Sequence, residues 1–177
     1  WALAHVKISD GALRWSDESH GKPFDASVER IELDVRNLSS KAGQPGEFDV
    51  SWRVAAGEWL KIESFSIKGG QLDLAKRELV LADVQAKGAR SLIRRLQDGK
   101  IDWLKPPALR VVQATQKDVA HPWVVTVAKY SGDDIGVRFE DSSVKPVAIQ
   151  TIEGLGFVLE NVSTLPGQTV KVSTRFK

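Results

Sequence analysis

From Arg30 to Arg36 apolar and charged residues alternate without a break, with Ile31, Leu33 and Val35 on one side and Arg30, Glu32, Asp34 and Arg36 on the other. A period of two is that of a β-strand with one covered face and one wet face. The same logic predicts strands over Leu3–Ile8, Ala12–Ser16, Phe48–Val54, Leu60–Ile67, Gln71–Ala75, Glu78–Ala86, Trp123–Tyr130, Ile135–Glu140 and Val170–Phe176. Turn-forming pairs separate them: Asp10-Gly11, Pro45-Gly46, Gly69-Gly70 and Pro166-Gly167. Consecutive strands with short turns imply antiparallel pairing. One stretch departs from the period. Ala89 to Leu96 carries Leu92, Ile93 and Leu96 at helical spacing, which predicts one short helix near residues 89–97 with Gly99 as its stop. Arg90, Arg94 and Arg95 would then lie on its solvated face. Residues 105–122 hold three prolines and a polar middle and read as a linker.

The chain also repeats itself. The stretch from Gly11 to Ser40 returns from Asp134 to Thr164, with Arg138, Phe139 and Asp141 lying 124 positions after Arg14, Trp15 and Asp17. Asn161 follows Asn37 at the same offset, and the segment Val170 to Phe176 echoes Phe48 to Val54 at an offset of 122. The second copy keeps the apolar side of the alternating strand as Leu155, Phe157 and Leu159, while the other side becomes Gly154, Gly156, Val158 and Glu160. The shared work therefore lies on the apolar side. This organisation predicts a first unit over 1–122 and a second, truncated unit over 123–177, continuous with the first, as in quasi-linear repeat architectures. The opening Trp1 and the break inside the second copy read as a segment of a longer protein.

Composition narrows the function. Among 177 residues 42% are hydrophobic, enough for an ordered fold. A net charge of +2 spread evenly along the chain lacks the concentrated basic face of a nucleic-acid binder. With no cysteine, disulfides, thiol zinc sites and cysteine nucleophiles are excluded. No apolar run approaches the eighteen residues or so of a membrane-spanning helix.

Little in the motifs points to catalysis. His5, His20 and His121 are scattered and form neither HxxxH nor HExxH. There is no GxSxG elbow, no GxxxxGK[ST] phosphate cradle and no GxGxxG turn. The acidic pairs Asp17-Glu18 and Asp133-Asp134 fall in expected turns without calcium-loop spacing, where aspartate is favoured anyway. Carboxylates from distant turns, such as Asp17 and Asp141, leave a hydrolase as the remaining enzymatic reading. The six tryptophans are expected to pack in a core. No cofactor and no metal are called for.

The ordered recurrence of these motifs resembles the AsmA-like family of Gram-negative bacteria, in its branch known as domain of unknown function 748. The carrying residues are Trp1, Asp10-Gly11, Leu13, Trp15, Asp17, Pro23-Phe24 and Asn37-Leu38-Ser39-Ser40, and again Trp123, Val137, Phe139, Asp141, Pro146-Val147, Asn161-Val162-Ser163-Thr164 and Pro166-Gly167. Between the two sets, the stretches Leu60–Leu74 and Arg95–Leu104 are similar to the family's intervening hairpin and its following strand. The resemblance implies a mainly β fold, a long twisted antiparallel sheet curled into an open groove. It implies a periplasmic protein anchored in the inner membrane, supporting outer-membrane homeostasis by passing phospholipid between membranes, with no catalytic residues. The expected groove lining is Ile31, Leu33, Val35, Leu155, Phe157 and Leu159. Phospholipid acyl chains and membranes at the ends of the full-length protein would be the partners. The alternation alone also fits a non-enzymatic periplasmic scaffold whose apolar faces form a closed core.

Overall fold

The computed structural model describes residues 1–17, 24–103 and 122–176. Their strands are β1 (Ala2–Asp17), β2 (Phe24–Ser39), β3 (Gly46–Ala56), β4 (Leu60–Asp73), β5 (Glu78–Arg95), the short β6 (Ile101–Asp102), β7 (Val124–Asp141), β8 (Ala148–Ser163) and β9 (Lys171–Arg175). All belong to one sheet in the order β1-β2-β3-β4-β5-β7-β8-β9, with β6 paired to β5. β1 and β9 stand at its two ends and do not pair with each other, so the sheet is not closed into a barrel.

The sheet is mixed rather than wholly antiparallel. β5 and β7 run parallel, from Glu78 against Val124 to Arg95 against Asp141. A parallel neighbour needs a crossover rather than a tight turn, and the chain between Arg95 and Val124 makes it. The linker expected over 105–122 falls almost wholly outside the described residues.

The expected helix at 89–97 is strand. Ala89 to Arg95 form the end of β5. β4 pairs with this stretch on one side (Lys61 with Arg90, Leu60 with Ser91) and β7 on the other (Arg90 with Gly136, Ile93 with Phe139). Two ladders outweigh the modest helix propensity of a few leucines and arginines. The turn signal after it is real, but it closes a hairpin: Gly99, at φ +80°, donates to Leu96, and Leu96 donates to Lys100, leading into β6.

Two of the four expected turns lie inside strands. Asp10 (φ +53°) sits in the middle of β1 and Gly69 (φ +64°) in β4, so segments read as separate strands are continuous. Arg30, Asn37, Gly88, Asp134, Gly154 and Asn161 also take positive φ within strands. At Asp10, Arg30, Gly69, Asp134 and Gly154 the register shifts, as where a bulge takes up an extra residue, whereas the pairing runs unshifted past Asn37, Gly88 and Asn161. β3 contains no positive-φ residue and alternates strictly, so its pairings define which face every other strand presents.

The pairings of β7 with β8 reproduce those of β1 with β2. Each Cα pair, from Ala2–Ser39 to Asp17–Phe24, reappears 124 positions later, from Thr126–Ser163 to Asp141–Ala148. The register shifts fall at equivalent places, and the positive φ angles of Asp10, Arg30 and Asn37 recur at Asp134, Gly154 and Asn161. β8 and β9 pair like β2 and β3 at the same offset: Leu159 meets Val172 as Val35 meets Phe48. The slip to 122 read from the sequence is absent from the pairing. A two-residue slip preserves the alternation, so residue similarity alone does not reveal it.

The sheet is a single layer among the described residues. Among the described residues only Ala56, Leu81, Val84, Ala86 and Leu92 are buried apolar side chains, and no side chain is fully buried. The expected tryptophan core is not seen: Trp1, Trp15, Trp103 and Trp123 are exposed and Trp52 and Trp59 half-buried, with no second layer over them among the described residues.

Candidate functional site

β3 sorts its residues cleanly, with Phe48, Val50, Trp52, Val54 and Ala56 on one face and Glu47, Asp49, Ser51, Arg53 and Ala55 on the other. Cross-strand partners share a face, so the pairing carries this division across the sheet. Val50 pairs with Leu33, which pairs with Ile8. In the other direction Val50 pairs with Ile67, then Val84, Tyr130, Leu159 and Val172 follow in turn. One unbroken apolar row therefore crosses eight strands, about 33 Å at the usual strand spacing.

Parallel rows flank it. Val6, Val35 and Phe48 lead through Gly70 to Leu81, Val127 and Val162. On the other side Trp52 stacks on its partner Phe65 with ring centroids 4.6 Å apart. That row continues through Ala86 and Gly132 to Phe157, whose ring meets Tyr130 edge-on at 5.2 Å. The smallest residues lie where aromatic rings cross them. A Cβ on Gly70 would come within 2.6 Å of the Phe48 ring, and one on Gly132 within 2.7 Å of Phe157. Nearer the other end of the strands, Ala26, Ala56 and Leu60 join Trp15 to Ser91, Val137 and Ile152.

The opposite face is charged at the same level. Beside the central row stand Lys7, Asp34 and Asp49, then Lys68, Asp83, Lys129, Glu160 and Lys171, four cations and four anions. The next row is mostly polar and small, running from Glu32 and Ser51 through Ser66, Gln85 and Ser131 to Ser173, with Val158 its one apolar member. Along these central rows the sheet is mainly wet on one side and oily on the other across its eight strands.

The six residues expected to line a groove lie on one face of the sheet, in two patches on β2 and β8 with β3, β4, β5 and β7 between them. Leu33 and Leu159 belong to the central row, Val35 to one flanking row, and Phe157 to the other. Ile31 pairs with Gly11 and Leu155 with Ile135 at equivalent bulges. Sequence reading missed the partners that make these two patches one surface, above all Val50, Ile67, Val84 and Tyr130. Each lay in a strand that was recognised, but its register was not legible.

Polar chemistry gathers at the far end of β5. Arg94 donates to Glu58 at 2.6 and 2.9 Å and to Glu140 at 2.8 Å, and its guanidinium lies 4.9 Å from the centre of the Trp59 ring. Hydrogen bonds from Arg94 and Arg138 hold the Glu140 carboxyl below the usual carboxylate range, and donating to Glu58 and Glu140 raises Arg94 further. Arg90 donates to both the carbonyl and the carboxylate of Asp134, and Arg175 to Asp133 at 2.6 Å. The expected solvated arginines and the expected Asp133-Asp134 turn are thus ladder-spanning ion pairs within the sheet. A cleft of about 310 Å³ adjoins them, but its Arg90 and Arg138 are already paired with Asp134 and Glu140. His5 lies 3.3 Å from Asp34, while His20 and His121 lie outside the described residues. No cluster of three or more histidines and carboxylates suited to a metal ion occurs among the described residues. No helix there is long and apolar enough to cross a membrane. Comparisons with protein-family models, with curated proteins and with solved structures find no match.

Proposed function

We propose that this chain is a segment of an AsmA-like periplasmic protein, built from β repeats, that carries phospholipid acyl chains along the apolar face of a curled sheet between the inner and outer membranes. The observation that carries the reading is the unbroken row from Ile8 to Val172, backed by a charged row on the reverse face and covered by no second layer among the described residues. The equivalent pairings 124 positions apart support the repeat, and the motifs around Trp1 and Trp123 support the family. Full-length protein of this kind would be anchored in the inner membrane and act without catalytic residues.

Burying one methylene is worth about 0.8 kcal/mol, so exposing a sixteen-carbon chain to water costs on the order of 12 kcal/mol. A continuous apolar wall removes most of that barrier at each step, and no chemistry is needed. The alternative scaffold with a closed core would bury the same row. Ile8 and Val172 at its ends are instead 42% and 63% exposed, which favours the open reading.

The test is binding of a fluorescent phospholipid by the chain and by a Leu33→Glu, Phe157→Glu double variant whose fold is checked by circular dichroism. Loss of binding in the folded variant is expected. Equal binding by both would contradict the proposal.

A further inference from the structure

We propose that the open edge of β1 is a docking edge for a strand of the β5 kind, running parallel to β1 and carrying an arginine that binds Asp10. The template lies within the chain. β7 is related to β1 by 124 positions in every pairing it makes with its hairpin partner, and β7 is docked in parallel on β5. β1 uses one edge on β2 in the same way, and its other edge has no strand beside it among the described residues.

The chemistry of the β5–β7 seam indicates what the missing neighbour must supply. Asp134, held at φ +55°, receives Arg90 from the adjacent strand on its carbonyl and, at 2.8 Å, on its carboxylate. Asp10 holds the same left-handed conformation at φ +53°, and its carboxylate has no partner among the described residues. On the apolar side of the seam Leu81 meets Val127 and Ile93 meets Phe139, which correspond to Leu3 and Trp15. Leu3 and Trp15 are 41% and 43% exposed, and a strand of this pattern would cover their free flank. Two features differ. Glu32 accepts from the Asp10 backbone N–H at 2.9 Å where the equivalent Gly156 has no side chain, and Ala12 stands where Gly136 lets the Arg90 stem pass, so that a Cβ there would come within 2.8 Å of that stem. The obstacle is the flexible part of a side chain, so a shift of the stem relieves it. Such an edge lets successive units join into one longer sheet, whatever the apolar face carries.

The test is a chain with a second copy of residues 76–124 placed directly ahead of Trp1, which brings along the native crossover. The expected result is slower amide exchange throughout β1 and a raised melting temperature, neither of which a scrambled copy produces. Arg90→Glu in the added copy, or Asp10→Asn in β1, should remove a measurable part of the gain, and the two together should cost little more than either alone. β1 amides that exchange as in the original chain would overturn the proposal. Protection appearing at β9 instead, or protection of β1 by self-association of the unextended chain, would overturn it equally.

Discussion

The ring of Phe157 on β8 lies over Gly132, its partner on β7, so closely that a Cβ on the glycine would stand 2.7 Å from the ring's Cζ atom. Phe48 covers Gly70 between β3 and β4 in the same manner. In a sheet with no second layer, aromatic rings find their packing partners sideways, across the ladder. Glycine at the facing position is what makes room.

Gly132→Val should therefore destabilise the chain by about 1–3 kcal/mol, the usual cost of forcing volume into an occupied site. Chemical denaturation of the variant would check this. A Phe157→Leu background should shrink the penalty, and an unchanged penalty would mean that the ring is not its cause.

How much was legible beforehand is shown by the same positions. Alternation placed Leu33, Val35, Phe157 and Leu159 on one apolar side without any knowledge of their neighbours. The glycine and aspartate pairs at Asp10-Gly11 and Gly69-Gly70 were misread as turns because positive φ serves a turn and a mid-strand bulge alike. The parallel β5–β7 seam was not visible, since strand neighbours separated by a long crossover leave no local signal. For the same reason Ala89 to Arg95 read as a helix: only the two flanking ladders make it a strand.

The bulges make an asymmetric pair of predictions. Arg30 and Gly154 occupy equivalent places at φ +52° and +64°. Gly154→Ala should cost about 1–2 kcal/mol, the penalty of a Cβ in the left-handed region. Arg30→Gly, by contrast, should be neutral or stabilising by up to about 1 kcal/mol, because it removes that same penalty. Thermal melts of the two variants settle it, and a loss of stability in both would contradict the equivalence.

The Arg94 cluster gives the sheet a pH dependence. Glu140 titrates below its ordinary range because Arg94 and Arg138 donate to it, so its contribution is present at neutral pH. That contribution is lost as the pH falls from the ordinary carboxylate range through the lowered one. Glu140→Gln should accordingly lower the melting temperature at pH 7, and the difference from the parent should close as the solution is acidified below about pH 4. A gap that persists or widens in acid would refute the assignment.

Arg94→Ala should be more damaging than Arg95→Ala. It breaks bonds to Glu58 and Glu140 and removes a cation from the Trp59 ring, whereas Arg95 makes a single 3.6 Å ion pair with Asp141. A loss of about 1–3 kcal/mol is expected for the first and under about 1 kcal/mol for the second. Urea titration of both variants measures the contrast.

Whether the apolar face is a lipid path is tested most directly by site-specific photo-crosslinking, with the chain produced in the periplasm of a Gram-negative bacterium. The probe would replace Leu33 or Leu159 on the apolar face, with Arg36 and Glu160 as controls on the charged face. Phospholipid adducts at the first two positions and none at the controls are the predicted result. Equal labelling of both faces, or no lipid adduct at any of the four, would contradict the account.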